Sequence, residues 1–356
     1  QLNNKRTQNS QLHSYAALGL AMYDIEGILG SVDNDHLGDA LNNFFSAWNE
    51  LAQPPVNESL KINVVAKAQT LVADFRSLDA ALSQLATDLE KQIQAETENL
   101  NRLLQDIGEL NRQVMAAESN GQPANDLRDQ RDLRITQLSE LAEVSVLERE
   151  DGSKDIILAG RTMVARDSVT LFEGLYRPDG DGYTFAVVTQ GSQQDVNLST
   201  GRLQGLLDAR DIHVKAVREQ LDAVAGQLIR EVNSLHTQGL SAGGRGVMFF
   251  NGDSMHNIGI NESIVANENL VVTGSSGSAG DNALALAIAD LGRHSVAGSQ
   301  QRSVSESYRA VVTDVAGTLG SFDFMVENQQ NVVSALNTRM ASVSGVSLDE
   351  EGANLV

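Results

Sequence analysis

Histidine is the side chain most readily turned to metal binding or proton transfer near neutral pH, and the chain carries six. They are His13, His36, His213, His236, His256 and His294, none closer than 20 residues to the next. A zinc hydrolase site needs two His one helical turn apart beside a carboxylate, so no local site forms and each ring is expected in a structural or surface role. Two acidic stretches resemble calcium loops. In Asp179-Gly180-Asp181-Gly182, Tyr183 stands where a third ligand belongs and the closing Glu is missing, which makes a hairpin turn the better reading. Asn251 to Glu262 has the 12-residue span and the terminal Glu, but His256 occupies the place of the Gly that bends such a loop. Asp349-Glu350-Glu351 is one of the acidic clusters that chance supplies among 47 carboxylates. GxSxG, Walker and strand-anchored GxGxxG motifs are absent, and with no Cys there is neither thiolate chemistry nor a disulfide. No catalytic, cofactor-binding or metal residue is therefore assigned, and the chain is read as a non-enzyme without a cofactor.

The elements that would have to carry any site are helical. Leu37, Leu41, Phe44, Trp48 and Leu51 step by 4 and 3 and stop at Pro54-Pro55, one amphipathic helix. A second row runs through Leu71, Phe75, Leu78, Leu82, Leu85, Leu89, Ile93, Glu96, Leu100, Leu103, Ile107, Leu110 and Val114. With Asn57 as cap candidate and Asn120-Gly121 as stop, that helix would be about 90 Å long at 1.5 Å per residue. Its two 4-4 steps at Leu85-Leu89-Ile93 act as a stutter, and Glu96 interrupts the apolar row, so looser packing is expected there. Leu78, Leu82, Leu85, Leu100, Leu103, Phe322 and Leu336 are expected in the core. Partner stripes run from Leu203 to Leu235 and from Val304 to Met340, and shorter helices are expected at about Thr7 to Leu29 and Asn125 to Ala142. The helical share comes to about 60%, nearly double the usual third.

Between Val144 and Ser199 the texture changes. β-Branched runs at Val144–Leu147, Ile156–Ala159 and Tyr183–Thr189, separated by Gly- and Asp-rich turns, predict a small antiparallel β unit. The fold class is thus mainly α with a smaller β part. An elongated, discontinuous long-helix bundle (1–142, 200–240 and 282–356) carries an inserted β domain at 143–199 and a Gly-rich loop or minor β segment at 241–281. In that last segment strands are sought in Ile264–Thr273, and Gly274–Gly280 is read as a loop.

Length and charge limit the partners. At 356 residues the chain is long enough for two or three compact units. A net charge of -21 removes any drive toward nucleic acid or an anionic membrane surface, and the longest apolar run, Ala16 to Tyr23, is far short of the roughly 20 residues a membrane span requires.

Local sequence narrows the purpose of such a bundle. Ser342-Val343-Ser344-Gly345-Val346-Ser347-Leu348-Asp349-Glu350-Glu351 with Ala353-Asn354-Leu355 resembles the stretch before the last helix of the flagellar hook-associated protein 1 family. In the family's order follow resemblances at Asn42-Asn43-Phe44-Phe45 with Trp48-Asn49-Glu50-Leu51, Asp126 to Asp132, Gly201 to Leu207 through Arg210-Asp211, Asn233 to Gly239, Phe249-Phe250, Asp281 to Leu284 and Ser307-Tyr308-Arg309.

The resemblance implies a flagellin-like rod, secreted to the extracellular flagellum, where it forms the junction ring between hook and filament and permits filament assembly. The implied partners are the hook protein, the second hook-associated junction protein, further copies of itself, and an export chaperone that takes a C-terminal segment. The chain begins at Gln1 and stops at Val356, so it is expected to be a core lacking both terminal helical segments, monomeric in solution and without the chaperone segment. Two departures stand out: Gly352 interrupts the family's pattern, and 241–281 leaves little space for the larger outer β region many members carry. Alternatives in other classes are another axial flagellar protein, a secreted hydrolase and a periplasmic receptor bundle.

Overall fold

The structure is a computed structural model that describes residues 2–30, 36–119, 122–179, 182–192, 194–241, 244–278, 280–294 and 302–344. Among the described residues the helices are α1 (Leu2–Leu29), α2 (His36–Leu51), α3 (Glu58–Glu118), α4 (Asn125–Leu141), α5 (Arg202–Asp208), α6 (Lys215–His236), α7 (Glu262–Ala266), α8 (Ala283–Asp290) and α9 (Val304–Ser344). Six strands lie between α4 and α5: β1 (Val144–Glu148), β2 (Lys154–Leu158), β3 (Arg161–Ala165), β4 (Ser168–Val169), β5 (Phe172–Asp179) and β6 (Gly182–Thr189). Four two-residue strands, β7 (Leu240–Ser241), β8 (Gly244–Arg245), β9 (Phe250–Asn251) and β10 (Gly259–Ile260), precede α7. The chain divides into two compact units, one from Gln1–Ala21, Thr87–Asp211 and the part from Leu319 on, the other from Met22–Ala86 and Ile212–Thr318.

The 61 residues of α3 follow from a long apolar row with capped ends. Asn57 caps the start, its Oδ1 accepting the Leu60 amide at 3.4 Å. At the other end the Glu118 carboxylate accepts from Nε and Nη2 of Arg128, each at 2.7 Å, and from the Ala124 amide at 2.9 Å, which together hold its pKa down to about 2. Phe75, Leu82, Leu89 and Ile93 are buried, but Leu78 and Leu85 are half-buried, against expectation, because the covered line of this part of α3 runs through Phe75, Asp79, Leu82 and Leu89 and leaves them at its edge. Past the stutter the seam moves over by one residue. Ile93, Thr97, Leu100, Leu104, Ile107, Asn111 and Val114 step by 4 and 3 and are all buried. Glu96 thus leaves the seam rather than breaking it, and it pairs with Arg202 at 3.1 Å while the Thr97 hydroxyl donates to the Ile93 carbonyl at 2.7 Å.

Other expectations shift in similar ways. α1 starts at Leu2, not Thr7, continuing through the polar first turns where the sequence has no apolar row to mark it. The stripe from Leu203 to Leu235 is broken by a π-helical segment, Ala209–Val214, which lies where the apolar row skips from Leu207 to Val214. Its Arg210 is buried, with Nε on Asp211 at 2.7 Å and Nη1 3.6 Å from Glu90. α9 opens with a capping box: Glu306 Oε2 accepts the Ser303 amide at 2.9 Å, and Ser303 Oγ accepts the Glu306 amide at 3.2 Å. Val304, Tyr308, Val311 and Val315 are buried, whereas Phe322 and Leu336, expected in the core, are half-buried because α9 beyond Val315 has cover on one side only. Ile264–Thr273 holds α7 and a 3-10 turn, Glu268–Leu270, instead of strands; Asn261 and Asn267 cap these short turns through their side chains, a local preference that outweighs the β-branched content.

The strands between α4 and α5 form one four-stranded antiparallel sheet, ordered β1-β2-β3-β4, and the separate hairpin β5-β6, while β7 pairs with β8 and β9 with β10. Leu158 pairs with Arg161 across Ala159-Gly160, whose φ values of 48° and 72° are the positive pair a two-residue hairpin demands. β5 and β6 pair from Phe172↔Thr189 to Asp179↔Gly182, which agrees with a hairpin there, with residues 180 and 181 outside the described set.

Asn111 fastens the sheet to α3 and α4. Its Nδ2 donates to the carbonyls of Lys154 (2.8 Å) and Arg166 (2.5 Å), and its Oδ1 accepts from the Lys154 amide (3.0 Å) and from Arg131 Nη1 (2.9 Å). Arg131 is fully buried and reaches the Gly152 carbonyl at 2.8 Å, while Lys154 Nζ sits 2.7 Å from Asp132. Two expectations follow. Leu82→Ala should cost about 2–5 kcal/mol and Leu85→Ala clearly less, read as shifts in the denaturation midpoint; equal costs would contradict the seam drawn here. Asn111→Ala should cost about 3 kcal/mol or more, since each buried group left unpaired costs about 1–3 kcal/mol. Urea unfolding would test that figure, and loss of amide-exchange protection at Lys154 would localise it.

Candidate functional site

The six His fall on different elements. His13 lies on the rim of a polar groove, 4.0 Å from Glu140; His36 opens α2, exposed; His213 falls in the π segment; His294 is exposed beyond α8. His256 is 81% exposed at its side chain, with Nδ1 3.1 Å from Asp79, which also accepts Arg218 Nη2 at 2.7 Å. Burial opposes the Asp79 charge, but the bonds from Arg218 and His256 outweigh it and leave the carboxyl below its usual range. Among the described residues no three His, Asp or Glu converge as a metal-sized group. Asp349-Glu350-Glu351 and Gly352 lie outside the described residues, as does the stretch from Gly345 on.

His236 differs from the others: it is fully buried, with Nδ1 2.6 Å from the Val247 carbonyl and Nε2 accepting the Val272 amide at 3.2 Å. An imidazole that donates from Nδ1 and accepts at Nε2 is neutral. One turn earlier on α6, Asn233 Oδ1 accepts the Phe249 and Phe250 amides at 2.7 and 2.9 Å and Nδ2 donates to the Phe250 carbonyl at 2.8 Å. The rings of Phe249 and Phe250 so placed join Phe44 and Trp48 of α2 at centroid distances of 5.6–6.0 Å. Aromatic burial and amide pairing hold the irregular segment onto α6 and α2. Asp281 closes the same region, accepting from the Ser276 hydroxyl (2.6 Å), the Ser276, Ser275 and Ala283 amides, and its pKa is held to about 2. Asn282 Nδ2 reaches the Ala52 carbonyl at 2.7 Å, and the Tyr308 hydroxyl the Leu29 carbonyl at 3.4 Å.

In the other unit, Gly201 has φ +107°, and a Cβ there would collide with the Leu141 carbonyl. Gly205 lies so close to α1 that a Cβ would stand 2.6 Å from the Ser14 carbonyl oxygen. These contacts set α5 beside α1 and α4 and leave a groove of about 500 Å³, with Arg102, Arg134, Arg202, Glu96, Asp106 and Glu140 among its lining. Arg134 pairs with Asp106 at 3.2 Å, and Arg202 with Glu96 at 3.1 Å. Two of the three arginines in the groove are thus paired with carboxylates of its own lining.

Sequence reasoning singled out Asn233–Gly239, Phe249-Phe250, Asp126–Asp132, Gly201–Leu207 and Asp281–Leu284 without knowing their roles, and the structure makes each of them a packing or hydrogen-bonding node. Asn111 and Glu118 escaped it, since a single Asn or Glu within a long helix carries no local signal. Each His was expected at the surface or half-buried, and His236 departs from that by its complete burial.

Comparison with known proteins agrees with this geometry. Flagellar hook-associated protein 1 of Bacillus subtilis is 24% identical, in an alignment covering 99% of this chain and 77% of that protein. The protein of the same description from Escherichia coli is 21% identical, covering 99% of this chain and 82% of its own. The solved flagellar hook junction protein FlgK from Burkholderia pseudomallei superposes with a TM-score of 0.84 over 97% of this chain and 100% of that one, at 14% identity, and so shares the fold. The family model for the flagellar hook-associated protein FlgK helical domain matches residues 22–250, well over half of the chain. The chain belongs to the FlgK family of flagellar hook-associated proteins.

Proposed function

We propose that the chain is a structural subunit of the bacterial flagellum whose copies form the ring joining hook to filament. The observation that carries this reading is the family match over residues 22–250, extended by alignments over almost the whole chain with two hook-associated proteins 1. On this reading it works outside the cell and touches the hook protein, the second hook-associated junction protein and further copies of itself, after delivery with an export chaperone. It makes and breaks no covalent bond. In support of that view, His236 is spent on backbone groups and His256 on an ion pair with Asp79.

The architecture suits such work. Helices encoded by local periodicity regain their structure quickly after passage through a narrow channel, and the absence of Cys removes any disulfide to rearrange. We read 143–199 as a β domain inserted in a discontinuous helical bundle of 1–142, 200–240 and 282–356, with 241–281 as a minor segment. α9 leaves Phe324 66%, Met325 40% and Val332 41% exposed, an apolar strip that packing against a neighbouring subunit would cover.

Deleting the gene in the bacterium that encodes it, with electron microscopy of the cell surface and an assay of flagellin in the medium, tests the reading. Hooks without filaments and flagellin released into the medium are expected. Intact filaments and normal swimming would overturn it.

A further inference from the structure

His236 is a titratable side chain with no part in the assembly role proposed above, and its setting is unusual. The ring is enclosed by Trp48 of α2 at 6.1 Å and Phe249 at 5.4 Å between centroids, and it is 0% exposed. Each nitrogen is committed to a different stretch of the irregular segment: Nδ1 to the carbonyl of Val247, Nε2 to the amide of Val272. Those strands are short, two residues each, so the segment has little ladder of its own to hold it. Neighbouring backbone closes in as well, the Gly246 amide region lying so near that a Cβ there would meet the His236 carbonyl.

We propose that His236 is an acid-sensitive latch: when its imidazole takes up a second proton, the bond to Val272 is lost and the Val271-Val272 stretch is released from α6, while Asn233 and Asp222 keep their hold on Phe249, Phe250 and Met255. The chemistry is a proton balance at one atom. Nε2 of the neutral ring accepts the Val272 N–H through its lone pair; a proton from solvent occupies that lone pair, leaving two N–H groups pointing at each other. The cation would find no counter-charge. The elements around the ring carry Asp39 and Glu50 on α2, Arg230 and Glu231 on α6, Arg245 and Glu268 in the segment, and Asp281 before α8, and among the described residues none is bonded to it. Burial accordingly disfavours the charged ring and holds the pKa to about 4, against a slight opposing pull from the Val247 carbonyl. The sign follows: the unfolded or released ring, with its ordinary value of 6.5, binds the proton more tightly than the latched one, so the latch is fully closed above about 6.5 and loosens as pH falls toward 4.

The chain has a built-in reporter, since Trp48 is its single tryptophan and lies edge-on to the imidazole. Titrating tryptophan emission from pH 7.5 to pH 3.5 alongside far-ultraviolet circular dichroism should show the emission moving to longer wavelength at a higher pH than any loss of helix. His236→Gln, whose amide can donate to Val247 and accept from Val272 without titrating, should keep the emission flat through that window. The latch is refuted if the variant titrates like the parent chain, or if emission and helix change together at one midpoint in the parent. Should the variant fail to fold, amide exchange in the parent decides: after correction for intrinsic rates, Val272 should lose at least tenfold of its protection between pH 7 and pH 4.5 while α6 keeps its own. Equal protection of Val272 at both pH values would overturn the proposal.

Discussion

Backbone that leaves a helix or a strand carries N–H and C=O groups that must find partners once buried, and in this protein the partners come from side chains mounted on the long helices. Asn111 on α3 serves two carbonyls and one amide where β2 begins and β3 ends. Asn233 on α6 performs the same service for Phe249 and Phe250, and His236, one turn further on, for Val247 and Val272. An amide is well matched to this work, because it donates and accepts at once and stays neutral at any pH the protein meets. Each node then sets a hydrophobic contact. The Asn233 bonds fix where the Phe249 and Phe250 rings fall, and those rings fill the space beside Phe44 and Trp48.

The helices that bear these nodes satisfy their own constraint differently. An apolar row as long as that of α3 cannot keep one face covered if it repeats every seven residues without correction, because 3.6 residues per turn and a heptad do not match. The 4-4 steps around Leu89 take up the mismatch. They pass the buried row from the Phe75-Leu82-Leu89 line to the Ile93-Thr97-Leu100-Leu104 line, and Asn111 is the later member of that row that faces the sheet. Without the stutter Asn111 would point elsewhere, and the sheet would have no partner for its turn. A similar adjustment appears in the π segment Ala209–Val214, where one wide turn lets Arg210 reach Glu90 and Asp211 instead of forcing a charged side chain into the apolar row.

How far the fold was legible in the sequence depends on whether the signal is local. The limits of α2, α3 and α4 could be read to within a residue or two, since caps, prolines and periodicity all sit in the segment itself. β1, β2 and β6 were legible for the same reason. β3, β4 and β5 were not, because Arg161-Thr162-Met163-Val164-Ala165 and Phe172 to Asp179 mix charged, small and Pro residues, and become strands only through pairing with neighbours. Burial was the least legible property. Leu78, Leu85, Phe322 and Leu336 have the same sequence spacing as truly buried positions, and what separates them is the amount of partner surface opposite, which no single stripe records. The nodes fell between these extremes: Asn233, His236 and Phe249-Phe250 stood out as a pattern, whereas their bonds to backbone 11 to 36 residues away could be seen only in the folded chain.

The dependence between helices and irregular segments runs one way, and this bears on how the family tolerates change. Remove the segment that Asn233 or Asn111 serves, and a helix is left with one more solvated Asn, which costs little. Remove the helix face, and the segment loses both its hydrogen-bond partners and its hydrophobic cover. Segments of this kind can therefore be lengthened or trimmed, so long as the residues that dock on the helix stay in register. The alignments behave as that asymmetry requires: 99% of this chain is taken in, yet the aligned spans run to 394 and 448 positions against its 356 residues, so the relatives hold additional residues inside the matched region. In this chain the compact stretch between α6 and α8 meets α6 through Asn233 and His236, the contacts that a change within it has to leave in register.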